Sequence, residues 1–238
     1  MAGETQGFSS AGDIVYSGTY TNGIVLSNPA TQNPTTIAAS GLVTNAGTAI
    51  YGGPGTTWTV TNLGTVEASL GARNIGIGIY LKGGGVVVNG APGSTSGLIA
   101  GSSSTGGGPG IDIKPAPGKI GGTVVNYGTI TGAEVTYGVV LNYGTSTGSI
   151  AGIYGPNGDP TIVNHGVITG NAVVRGTVSN YGTIDGNLLA ALYNFGTVEN
   201  TGTNNAVTDT VRVQYAFYNG QHGLIEGGQG GSKRLPWR

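Results

Sequence analysis

Two carboxylates near the end of the 238-residue chain, Asp185 and Glu199, stand 14 residues apart at equivalent places of a short recurring pattern. If each copy of the pattern is one coil of a stacked β structure, equivalent residues of adjacent coils lie about 4.8 Å apart. Carboxyl groups at about 5 Å match a retaining glycosidase, in which one is nucleophile and the other acid and base. Like-charge repulsion would raise the pKa of one of them. The competing reading is a pair of solvated face residues, splayed apart or bridged by a cation.

The same pattern carries a row of rings: Tyr127, Tyr143, His165, Tyr181 and Phe195, with Leu63 in the equivalent place earlier. Such a row is either a ladder that stiffens one edge, at about 0.5–1.5 kcal/mol per good pair, or a stripe that binds sugar or protein. His165 has no acid or serine near it in sequence to suggest a triad, and His222 falls in a degenerate last repeat. Gly107-Gly-Pro-Gly-Ile-Asp112 partly matches a calcium-binding nonapeptide, which makes Asp112 the metal candidate. Lys114 takes the place of the bulky apolar residue of that motif, however, and a single copy supplies too few oxygens for a shell of 6–8. No metal and no cofactor are therefore expected. Pairs at Thr129/Thr131 and Thr145/Thr147 are the kind of array that orders water and binds ice, but Val167, Asp185 and Glu199 interrupt the face. Gly83–Gly85 and Gly106–Gly108 precede no helix, so they read as turns and not as phosphate cradles.

The elements that hold these residues follow from the repeat. It runs apolar, any residue, Asn, often an aromatic, Gly, Thr, then Val or Ile. Copies read Val60-Thr-Asn62-Leu-Gly-Thr-Val66, Val124-Val-Asn126-Tyr-Gly-Thr-Ile130 and Ile162-Val-Asn164-His-Gly-Val-Ile168, then Val178-Ser-Asn180-Tyr-Gly-Thr-Ile184 and Leu192-Tyr-Asn194-Phe-Gly-Thr-Val198. Further copies start at Val43, around Asn45, and at Val140, around Asn142; degenerate ones lie at Asn89 and Asn219. Spacings of 14 to 22 residues between neighbouring clear asparagines argue for a solenoid. A helical repeat is excluded by the glycine and β-branched content and by the lack of a 3.6-residue stripe. Upstream strands are expected at Gly78–Leu81, Gly110–Ile113, Gly138–Leu141 and Gly152–Tyr154.

Alternation assigns faces. The apolar residue two before each asparagine points inward, the asparagine points inward at a corner, and Val66, Ile130, Ile168, Ile184 and Val198 point inward again. Asn62, Asn126, Asn142, Asn164, Asn180 and Asn194 are thus the structural residues, their amides stacked to bond one another and the corner backbone. The glycine two residues on is expected to supply a positive φ.

Composition agrees. Charged residues make up 8% of the chain, against roughly 25% in an average domain. Its 49 glycines would suggest low complexity, but hydrophobic residues reach 37% and recur in register with the glycines, which a disordered chain lacks. Net charge is −1; no basic stripe exists to meet phosphates, so nucleic acid is not an expected partner. The absence of cysteine excludes disulfides and thiolate zinc sites. No run approaches the roughly 20 apolar residues of a membrane helix, and the first residues lack the features of a secretory signal.

The repeats, with Thr21-Asn-Gly-Ile-Val-Leu-Ser-Asn-Pro-Ala30, resemble the passenger repeats of bacterial autotransporters, especially the Asn-Tyr-Gly-Thr-Ile-x-Gly repeats of large alphaproteobacterial surface proteins. The resemblance covers most of residues 13–226. It implies export and display or release at the cell surface, with a host or surface glycan or protein as partner. It also implies a translocating barrel of ten or more strands, for which this sequence has no matching region; a fragment, a truncated gene and a stand-alone relative all fit. The expectation is an all-β, single-stranded right-handed parallel β-helix over 13–226, between tails at 1–12 and 227–238. Its function would be structural or adhesin-like and non-enzymatic. The alternatives are a polysaccharide lyase or glycoside hydrolase on a β-helix, or an ice- or calcium-binding solenoid.

Overall fold

The computed structural model describes residues 6–10, 13–72, 74–104, 108–115, 121–152, 160–174, 177–185, 188–190, 197–200, 203–206, 216–219 and 224–227. Over them the chain is a parallel β-helix. The described strands form three sheets, of 11, 10 and 9 strands; each coil up to residue 190 contributes to all three, and the strands described beyond it belong to the first two. Strands equivalent in the sequence pattern are neighbours in space: Val87 pairs with Val60 and Val124, and Val140 with Val124 and Ile162. The one helix among the described residues is Pro29–Gln32, where the Asn28 side chain accepts from the Ala30 N–H.

The strands are short and β-branched, and their alternation places one face in the lumen. Val60, Val87, Val124, Val140, Ile162 and Val178 form a fully buried file on the asparagine-bearing sheet. Val66, Ile99, Ile130, Ile168 and Ile184 form a second on the next sheet, and Ile50, Ile79, Ile111 and Ile150 a third. Near the N-terminus the lumen also takes Tyr16, Tyr20 and Trp58.

Four expectations are corrected by the register. Asn45 pairs with Ala68 on the second sheet, so it is no member of the asparagine file; Ile37 is the residue opposite Asn62. Val139–Asn142 is itself the asparagine strand, and the strand upstream of it is Glu134–Thr136. Gln6–Ser10 is no tail. It pairs antiparallel with Asp13–Tyr16 and covers the open edge of the first coil, the protection that an unpaired parallel edge requires. At the other end Leu224–Gly227 is still a paired strand, and residues 228–238 lie outside those described.

The fourth concerns the last coils. Asn200, not Asn194, stands opposite Asn180, and Asn219 stands opposite Asn200. Val198 accordingly pairs with Val178, two places before the asparagine, not four after it. The sequence holds the reason: Val198-Glu-Asn200-Thr-Gly-Thr203 also satisfies apolar-x-Asn-x-Gly-Thr. Asn194 and Phe195 lie outside the described residues.

Candidate functional site

The corner after each asparagine is the most elaborated place in the structure. Asn62, Asn89, Asn126, Asn142, Asn164 and Asn180 are fully buried. Each of the first five donates from Nδ2 to the Oδ1 of the next at 2.8–2.9 Å. The same Nδ2 donates to a corner carbonyl of the following coil: Leu98, Thr129, Thr145, Val167 and Thr183 in turn, at 2.9–3.2 Å. The asparagine carbonyl meanwhile accepts two N–H groups of the next coil, as Asn126 does from Tyr143 and Gly144. Donors and acceptors that turn away from the sheets at this corner are thus satisfied.

The glycine of the corner is present for a reason other than positive φ. Gly128, Gly144, Gly166 and Gly182 are absent from the positive-φ residues. A Cβ on any of them would overlap the carbonyl oxygen of the corresponding glycine one coil back. Coil spacing at the corner leaves no room for a side chain.

On the outside of that corner, Tyr127, Tyr143, His165 and Tyr181 form a continuous stack. Ring centroids are 5.1, 5.1 and 4.8 Å apart and the planes lie within 15°. Tyr143 and Tyr181 are 44% and 42% exposed. The rings cover one another's faces, so each interior ring presents its edge to a partner. A sugar that needs an open aromatic face finds none between the stacked rings.

Asp185 and Glu199 do not occupy equivalent places of adjacent coils. Asp185 is exposed and follows Thr183–Ile184 on the second sheet, its N–H bonded to the Ile168 carbonyl. Glu199 lies in Thr197–Asn200 on the asparagine sheet, opposite Ser179. The shift that brings Asn200 into line moves Glu199 onto a different side of the coil. The register therefore does not stack these two positions on adjacent coils, which the expected carboxylate pair required.

Asp112 lies within the strand Ile111–Ile113, opposite Tyr80 and Val135. Its Oδ2 is 3.5 Å from the Lys114 ammonium, which in turn sits 5.2 Å from the Tyr80 ring centroid. Burial pushes the Asp112 carboxyl up, and Lys114 pulls it partly back. An ammonium so close disfavours a second cation. Among the described residues no three His, Cys, Asp or Glu side chains converge as a metal site. The outward rows of the second sheet include the Thr129/Thr145 pair, but Leu98 and Val167 continue that row. A shallow groove of about 320 Å³ opens elsewhere on this sheet, over Thr44, Asn45, Glu67 and Ser69, away from every candidate above.

Comparisons with known protein families, curated proteins and solved structures find no match.

One residue of consequence escaped the sequence reading. Glu134 occupies a lumen position, fully buried, between Ile111 and Ile150. Its neighbours in that file are isoleucines, and the departure from the file is the signal that could have revealed it.

Proposed function

We propose that this chain is a non-enzymatic structural module of adhesin type, displayed or secreted at a bacterial surface, whose work is to hold a stiff lateral face for contact. The observation that carries this reading is the four-ring stack of Tyr127, Tyr143, His165 and Tyr181, mounted on a continuous amide ladder. The buried ladder fixes the pitch and the corner fixes the rings, so the exposed edge is pre-organised and loses little side-chain entropy when it is covered. Phenolic hydroxyls and ring edges repeat at the coil spacing, a surface suited to an extended glycan or protein segment lying along the rod. The surface location rests on the resemblance of the repeats.

The test is binding and turnover on a panel of polysaccharides and host surface proteins. Expected is saturable binding by the intact protein, weakened at least tenfold in Tyr143→Ala/Tyr181→Ala while the fold is kept, with no product formed. Turnover that disappears in Asp185→Asn would replace the proposal with an enzyme.

A further inference from the structure

Five lumen positions can be followed from coil to coil. In one coil they hold Ile111, Ile113, Val124, Asn126 and Ile130. In the next they hold Glu134, Thr136, Val140, Asn142 and Ser146, and in the one after Ile150, Gly152, Ile162, Asn164 and Ile168. The middle layer thus replaces isoleucines with Glu134, Thr136 and Ser146, all fully buried. Thr136 is satisfied, donating to the Gly122 carbonyl at 3.1 Å. Neither carboxyl oxygen of Glu134 nor the Ser146 hydroxyl makes a hydrogen bond of good geometry, although Ser146 lies close enough to favour the charged carboxyl.

We propose that the 134–146 layer is a pH-sensitive breach point, closed while Glu134 carries its proton and opening locally when the proton is lost. A neutral carboxyl is tolerated between aliphatic layers; a carboxylate there is fully buried with no counter-charge beside it among the described residues. The strands packed around it present Ile111, Ile113 and Ile150 beside it and Ile130, Val140, Asn142 and Ser146 across the lumen. Asp112 and Lys114, the charged residues nearest in the adjoining strand, pair with each other instead. Burial raises the Glu134 carboxyl from its ordinary 4.5 to about 7, outweighing the Ser146 hydroxyl, which acts the other way.

The direction follows from linkage. Between pH 4.5 and about 7 the closed layer holds a proton that the open one releases. Closure is therefore strongest in acid, weakens by about tenfold per pH unit across that window, and levels off above it. This inference stands apart from the contact function.

Amide hydrogen exchange on the full-length protein tests it, with rates corrected for the intrinsic pH dependence. Amides of 134–146 are expected to lose about fortyfold in protection from pH 5 to pH 7, and those of 161–168 much less. In Glu134→Gln the loss disappears, and in Glu134→Ile it disappears with higher protection throughout. If neither variant folds, the wild-type profile decides alone. Protection that is independent of pH, or lost equally in every coil, or lost equally in Glu134→Gln, overturns the proposal.

Discussion

Removing the amide of Asn142 deletes a donor to Asn164 and the Val167 carbonyl and an acceptor for Asn126. Those groups are buried, so Asn142→Ala is expected to cost about 1–3 kcal/mol for each polar atom left unpaired. Asn142→Asp would keep the shape but lose the donor and place a charge in the file, and is expected to be worse. Both are read from the midpoint of chemical denaturation. Gly166→Ala tests a different force. Its methyl would overlap the Gly144 carbonyl, and backbone is slow to give way, so a loss of about 1–3 kcal/mol is expected. A substitution that stabilised the protein would show that the corner has slack.

At the scale of the element, the ring stack is held by pairs and not by any single residue. His165 contacts Tyr143 on one face and Tyr181 on the other. His165→Ala is expected to lower stability by about 1–3 kcal/mol, two pairs at about 0.5–1.5 each, whereas His165→Phe should keep most of it; thermal melting at fixed pH separates the two. The strands, their alternation and the amide file at Asn62, Asn89, Asn126, Asn142, Asn164 and Asn180 were legible because each recurs with its neighbours in a fixed pattern. Register was less legible. Asn45 and Asn194 each sit in a plausible motif, but pairing is decided by which strand completes the adjacent coil, a long-range matter that a local pattern does not contain. The Asp185/Glu199 pair failed with Asn194, since both depended on the same count. Glu134 was overlooked because alternation identifies lumen positions through their apolar residues, and a polar one there leaves a gap in the signal.

At the scale of the whole molecule, the described residues stack ten parallel strands on the asparagine sheet beyond the antiparallel edge strand. At about 4.8 Å per coil the rod should measure about 48 Å along its axis, and small-angle scattering should give an elongated particle of that order. A compact, near-spherical envelope would contradict the stacking. The side-chain amides of Asn62, Asn89, Asn126, Asn142 and Asn164 all donate in the same sense, toward Asn180. Their dipoles therefore add head to tail and polarise one another. The rod has an electrical north and south: amide oxygens face back toward the first coils, and amide hydrogens face forward toward the last. A coil on the forward side meets a donor strengthened by those behind it and one on the other side an acceptor strengthened in the same way, so the two ends of the rod differ in the kind of group they offer.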